Sequence, residues 1–369
     1  MNTQKRGRIC MSKITFKKAI CKAEFLSPPD FKTTAHSIEF RKDPLTDRWC
    51  RMNMERTRRV KQARTTDLAE FTRRIENSKQ KCFFCPENME KMTPKFPSYF
   101  PAERMEGGSA YLFPNLFPFG EFHAIGVFSE KHYLSLNEFS AQLLKDCFKV
   151  CLDYFNFIYN KHPDIKYCTI NWNYMPPAAA SIIHPHVQAL VDRGPTFQVK
   201  ELIETSKRYC KRNGGNYWLN LIETEKKNYD RWIGEVGSVA WLTSFASQGN
   251  REVLAIFSRR ISTLIRLSES GLNDFCEGLS RILRGYYEMG VKSFNMTTFS
   301  GPNDQDISEY YLLNAKLISR PDFEPFYTSD DGFMEKFHYE PVVETSPEDV
   351  AERMREYFKG YLIHTCTGN

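Results

Sequence analysis

The chain has 369 residues, 41% of them hydrophobic with 29 Phe and 18 Tyr, enough to bury the cores of two ordinary domains or one fused pair. A formal charge of +6 suits an anionic ligand and does not by itself point to nucleic acid. No run approaches the roughly 18 apolar residues of a membrane span, and eleven scattered cysteines speak against a disulfide framework, so a soluble cytoplasmic protein is expected.

Residues 1–38 are basic and lack the apolar centre of a signal sequence. They are expected to form an N-terminal arm, loose over 1–35. Arginines then gather at Arg56, Arg58 and Arg59, with Lys61 beside them, a cluster that by itself also fits a solvated basic face. KCFFCPEN sets Cys82 and Cys85 at the C-x₂-C spacing that turns two thiolates toward one ion.

Residues 121–174 read as a strand (EFHAIGVFS), a turn, a helix over about 137–160 and a second strand (KYCTINWNY). Ser135-x-x-Glu138 predicts a capping box at the helix start. Leu143, Leu144, Cys147, Phe148, Cys151, Phe155 and Ile158 recur at helical spacing. A third strand, IIHPHVQAL, follows a Pro-bearing loop.

Residues 252–299 repeat the order with EVLAIFS, a helix ending near Gly290 and KSFNMTTF, and LLNAKLISR follows. An α+β chain can show such an order by chance, but the matched lengths and shared Phe-Ser starts favour an internal duplication. The fold class is therefore α+β, an antiparallel sheet flanked by helices. Residue for residue, His184, His186 and Gln188 fall against Asn314, Lys316 and Ile318, and His132 against Ile261. The second half keeps the scaffold without the chemistry.

In SIIHPHVQAL, alternation on a strand would put His184, His186 and Gln188 on one face. Zinc needs four ligands, and Cys82, Cys85, His132 and His184 would supply them from three separated segments, with no open position, so the ion would be structural. The alternative is two reduced cysteines in a loop with no metal. His186 is then free as a nucleophile toward phosphorus, and Gln188 can hydrogen-bond a phosphate oxygen. By itself, His-Pro-His is more often a plain metal site or a buried pair than a nucleophile, so its context has to decide.

NWNYMPPAAASIIHPHVQAL resembles the active-site segment of galactose-1-phosphate uridylyltransferases, a branch of the histidine-triad superfamily. Three further stretches agree in order: RKDPLTDRWCRMNMERTRR (41–59), the metal loop CFFCPENMEKMTP (82–94) and AYLFPNLFPF (110–119), followed by FSEKH. The match covers residues 39–200 and continues weakly over 336–355. It implies two fused histidine-triad-like repeats: a catalytic one with a zinc site over 39–205, and a degenerate one with the C-terminal segment over 206–369. His186 would take the nucleotidyl group. Cys82, Cys85, His132 and His184 would hold one structural zinc. Asn173, Ser181 and Gln188 would hold phosphates, Asn115 would lie against the base, and Arg56 and Arg59 would meet the phosphates.

The resemblance implies a nucleotidyltransferase acting on a nucleotide sugar and a sugar 1-phosphate, as in galactose metabolism, and it alone suggests a homodimer. Partners in membrane or nucleic acid are not expected. Departures weaken the galactose specificity more than the transfer chemistry. The family's glycine-rich loop is here Asn173-Tyr-Met-Pro-Pro-Ala-Ala-Ala-Ser181. Second-metal positions hold Ser300, Asn314 and Lys316, and the family's hexose-phosphate glutamine has no clear counterpart. The rival enzyme reading is a phosphorylase of nucleotide sugars or dinucleoside polyphosphates that uses inorganic phosphate. The rival of another class is a silent zinc-bound nucleotide-binding protein.

Overall fold

The computed structural model describes residues 14–58, 68–323 and 328–359. The first described elements are a hairpin, β1 (Lys17–Ser27) and β2 (Lys32–Lys42), which β3 (Trp49–Met52) extends. Helices α1 (Leu68–Lys79) and α2 (Pro86–Met92) lead to β4 (Met105–Gly107), β5 (Ala110–Pro114) and β6 (Phe122–Val127). The long α3 (Ala141–Lys161), β7 (Tyr167–Tyr174) and β8 (His186–Asp192) complete a first set. Helices α4 (Phe197–Asn213) and α5 (Tyr217–Asn228) connect it to a second: β9 (Trp232–Val236), β10 (Val239–Thr243), β11 (Val253–Phe257), α6 (Glu269–Glu288), β12 (Phe294–Phe299) and β13 (Asn314–Ser319). Last come α7 (Phe333–His338), β14 (Val342–Val343) and α8 (Pro347–Arg355).

Strands β4 to β13 form one ten-stranded antiparallel sheet in the order β4-β5-β6-β8-β7-β12-β13-β11-β10-β9. The order is the same from either end, and the two sets meet where β7 pairs with β12. The α+β class and the antiparallel sheet are as expected. A second sheet, β1-β2-β3-β14, includes a parallel pair, β3 with β14.

Alternation along the strands sorts the cores. Val187, Ala189 and Val191 of β8 join Leu144, Cys147, Phe148 and Cys151 of α3 in the main core. Val253, Ala255 and Phe257 of β11 meet Phe275, Leu279 and Ile282 of α6 in the same core. Each Val, Leu, Ile or Phe among these, fully buried, contributes about 1.5–3 kcal/mol. A β-carbon at Gly126 would stand 3.1–3.2 Å from Val187, Cys147 and Cys151 side-chain atoms, so a glycine lets α3 lie this close to the sheet. On the opposite face of the second set, Leu242, Leu254 and Ile256 are covered by Leu202, Trp218 and Leu221 of α4 and α5. Among the described residues no such helix pair covers the corresponding face of the first set, which frames the candidate site.

Four expectations need correction. Residues 17–35 are no loose arm: β1 and β2 pair over eleven residues, from Lys17 opposite Lys42 to Ser27 opposite Lys32. The Ser135–Glu138 box closes a 3₁₀ turn, Leu136–Glu138, and α3 starts later because Ser140 supplies a second cap to Leu143 N at 3.2 Å. His184 does not share a strand face with His186; β8 begins at His186, because Pro185 has no N–H to give the ladder.

The residue-for-residue match of the halves also slips by two. Val127 pairs with His186 and Ile256 with Asn314, while Phe128 N bonds Pro185 O and Phe257 N bonds Leu313 O. His186 thus corresponds to Asn314 and Gln188 to Lys316. A two-residue shift keeps each side chain on its face, which is why the sequence pattern could not detect it.

Glu348, in the first turn of α8, is gripped by Arg41 of β2 at 2.8 Å and by Arg231 at 2.9 Å, and Arg231 also bonds Glu225 of α5. Burial alone would raise the Glu348 carboxyl, but hydrogen bonds and charge from Arg41, then Arg231, outweigh it and bring it down to about 2. A depressed carboxyl stabilises the fold above its unfolded value and loses that contribution as pH falls toward its folded value. Glu348→Gln should lower stability at pH 7 by about 2–3 kcal/mol. In denaturant titrations the gap from wild type should close as pH drops from about 4.5 toward 2.

Candidate active site

The open face of the first set frames a cavity of 880 Å³. Its floor is β8, whose His186 and Gln188 point away from α3, beside Phe113 and Ile125 of β5 and β6. The walls are the loop before α2 (Cys82–Phe84), the segment 115–119 after β5, and the loop between β7 and β8. Asn115, Asn173 and Ser181 line this cavity with His186, Gln188, Cys82 and His132, so seven of the expected residues converge.

Behind that wall, Cys82, Cys85, His132 and His184 are all buried, with their ligand atoms within 4.8 Å of one another. Cys85 Sγ lies 3.4 Å from His132 Nδ1 and 3.7 Å from His184 Nδ1, and Cys82 Sγ lies 3.7 Å from the same His184 atom. Donor atoms on arms of roughly 2.0–2.3 Å around one tetrahedral centre stand about 3.5 Å apart, so these gaps fit one ion. The outer nitrogens are occupied: His184 Nε2–H donates to Ser129 O at 2.7 Å, and His132 Nε2 meets Ser78 Oγ at 2.8 Å. Such outer bonds fix each ring with Nδ1 facing the cluster. Burial, then the adjacent Cys82, pushes the Cys85 thiol up to about 12, and burial brings His184 down to about 4. A cation is what would turn such thiols into thiolate ligands.

Arg56 lies outside this lining. It sits on a 3₁₀ turn after β3, held to the small sheet by Asn53 N–Val343 O, with its Nε 3.6 Å from Glu344 Oε1. Arg59 falls outside the described residues.

His186 is held by its own strand entry. Its Nδ1–H donates to His184 O at 2.8 Å, and since a carbonyl only accepts, the ring proton is on Nδ1 and Nε2 is the basic nitrogen. Burial keeps the ring neutral by lowering its affinity for a second proton. The Phe84 ring stands edge-on at 5.2 Å. Gln188 is fixed by a residue that motif reading missed: His123 of β6, whose Nε2 lies 2.9 Å from Gln188 Oε1. Ile125 pairs directly with Gln188, and His123, two positions along the same face, is its diagonal neighbour. A histidine inside an otherwise apolar strand was the available signal. Lys81, a cation lining the cavity, was also missed.

The second set shows the same position closed. Leu242, Leu254 and Lys316 stand where Phe113, Ile125 and Gln188 stand in the first. There α4, α5 and the turn at Asp43–Arg48 leave a cavity of only 40 Å³, and the Lys316 ammonium pairs with buried Glu252 at 2.9 Å.

No family model matches the chain. An uncharacterized protein of Archaeoglobus fulgidus is 30% identical over 326 residues, covering 88% of this chain and 94% of the relative. Among solved structures, an ADP-glucose phosphorylase from Arabidopsis thaliana, with bound ADP-glucose, superposes with a TM-score of 0.67 at 20% identity, over 86% of this chain and 98% of that one. A uridylyltransferase superposes with a TM-score of 0.63 at 16% identity, over 88% and 99%. At those identities the likeness establishes the fold.

Protein purified without chelator should carry one equivalent of metal per chain by elemental analysis. Cys82→Ser or His132→Ala should lose the metal and lower the melting temperature together, because the binding energy of a structural ion is folding energy. A metal-free but fully stable wild type would contradict this.

Proposed function

From the premise that the chain belongs to one family with its Archaeoglobus fulgidus relative and carries the uridylyltransferase fold, we propose that it is a nucleotidyltransferase acting on nucleoside-diphosphate sugars through His186. The observation that carries the reading is the His186 ring, neutral, with Nδ1 committed to His184 O and its basic Nε2 left for a cavity large enough for a nucleotide sugar.

In the first half-reaction His186 Nε2 attacks the α-phosphorus, the bond to the bridging oxygen breaks, and sugar 1-phosphate leaves with the electron pair. A phosphate oxygen of the acceptor then attacks the same phosphorus and releases His186. Gln188, Asn173 and Ser181 offer neutral donors to the phosphoryl oxygens, and Lys81 a charged one. Asn115 is partly spent on its own loop, its Oδ1 accepting from Phe117 N at 3.0 Å. The base would then lie among the rings of Phe83, Phe117 and Phe119. For the two-thiol, two-imidazole cluster the fitting ion is zinc, structural because all four positions are protein ligands.

A second reading is favoured by one feature of the walls. Among the described lining residues there is no carboxylate to meet sugar hydroxyls, and the β7–β8 loop presents Pro176, Ala179, Ile182 and Ile183. Such a wall suits inorganic phosphate as acceptor, which would make the enzyme a phosphorylase. Comparing orthophosphate with hexose 1-phosphates as acceptor separates the two.

Enzyme incubated with α-³²P-labelled UDP-glucose or ADP-glucose should retain label that is acid-labile and base-stable, as a phosphoramidate is. His186→Asn should abolish labelling and slow exchange by at least ~10³-fold while keeping its metal. Gln188→Ala should still take up label and turn over slowly. Full turnover by His186→Asn on a confirmed substrate would overturn the mechanism.

A further inference from the structure

The loop between β7 and β8 holds a backbone shape usually reserved for glycine. Met175 has φ 71° and ψ 157°, and Ala179 has φ 68° and ψ 24°. A side chain in either region costs on the order of 1–3 kcal/mol, which the surroundings must offset. Inside the loop, Ala179 N bonds Pro176 O at 2.9 Å and Ala180 N bonds Met175 O at 3.3 Å. From outside, Asn295 of β12 donates from Nδ2 to Ala178 O at 2.8 Å.

Asn295 does more than brace the loop. It lies opposite Asn173 where the two sets of strands meet, and its Nδ2 also donates to Asn173 Oδ1 at 2.7 Å. Its Oδ1 accepts from Arg320 Nη1 at 2.7 Å, and Arg320 is clamped by both oxygens of Asp330 at 2.7–3.0 Å. A guanidinium can only donate, so it dictates which end of the Asn295 amide faces it. That choice aims the Asn295 NH₂ group at Asn173 and consumes both of its protons. Asn173 must then accept through Oδ1, which turns its own NH₂ group to the cavity side; one proton makes a long 3.4 Å contact with Ala179 O and the other is left for a ligand.

We propose that Asn295, supplied by the second half of the chain, is a positioning residue. The sequence Asp330–Arg320–Asn295 sets the amide orientation of Asn173, so that a donor rather than an acceptor meets the substrate phosphates. The inference rests on the nucleotide-sugar reading for its ligand but on hydrogen-bond direction alone for its geometry. It also gives the second half of the sheet a function in the site of the first half.

The test is Asn295→Asp, which keeps size and shape but removes both protons. The new carboxylate still accepts from Arg320, yet it faces Asn173 Oδ1 acceptor to acceptor, so Asn173 must rotate and present its oxygen to the cavity. A crystal structure of the variant should show Asn173 reversed, with neighbours assigning the amide. Calorimetric titration with ADP and UDP should show binding weakened about ten- to hundred-fold for whichever nucleotide the wild type takes. Metal content should not change. An unmoved Asn173, or affinity equal to wild type, overturns the proposal. If the wild type binds neither nucleotide, the functional reading fails, and the orientation of Asn173 in the variant still decides the relay. Should loss of the bond to Ala178 O prevent folding, Ala179→Gly added to Asn295→Asp relieves the loop, since glycine adopts its φ freely. The double variant should fold and still bind weakly, and wild-type affinity in it would overturn the relay.

Discussion

The site depends on one constraint, the alternation of β8. Val187, Ala189 and Val191 point into the core beneath α3, so His186 and Gln188 must point to the opposite face. The close-packed side fixes the strand, and the cavity-facing side chains inherit that order. Pro185 completes the arrangement at the entrance of the strand. It gives the ladder no N–H, the strand starts one residue later, and His184 is free to turn back into the four-residue cluster while its carbonyl accepts the His186 Nδ1 proton. One short segment thereby ties the buried Cys82–Cys85–His132–His184 cluster to the protonation of the neighbouring His186 ring.

The two halves of the sheet solve the same burial problem differently. Each has one face covered by a long helix, and each must do something with the other face. In the second half, α4 and α5 close over Leu242, Leu254 and Ile256, and Lys316 is neutralised by Glu252 in a space too small for a substrate. In the first half that face stays open and is bounded by loops, one of which is pinned by the buried cysteines and histidines. Closure on one side provides stability, and openness on the other provides a cavity.

The junction of β7 with β12 shows why the closed half is more than ballast. Asn171 pairs with Thr297 there, and Thr297 Oγ1 bonds Asn171 Oδ1 at 2.6 Å. One step further along, Asn173 meets Asn295. A loop in which Pro176 and Pro177 remove two donors, and in which Met175 and Ala179 occupy glycine-like regions, needs such bracing from a rigid neighbour. The close aromatic contacts of Trp172 with Phe128 at 4.6 Å and Phe294 at 4.9 Å make the junction part of the main core.

The sequence by itself determined what depends on local pattern. Period-two and period-3.6 alternation marked the strands and the two long helices, and C-x₂-C with two histidines identified a ligand set that the fold does bring together. His-Pro-His-x-Gln named the residues on the cavity floor. Only the tertiary structure decided the quantities that span elements. The register between halves was one, because a slip of two residues leaves every side chain on its expected face. The start of β8 was another, since a proline's missing donor matters only once a partner strand is beside it. The separation of Arg56 from the cavity follows from the pairing of β3 with β14, some 290 residues apart in sequence. His123 behind Gln188, and Asn295 behind Asn173, carry no motif, because a hydrogen bond between strands leaves no spacing in the chain that could announce it.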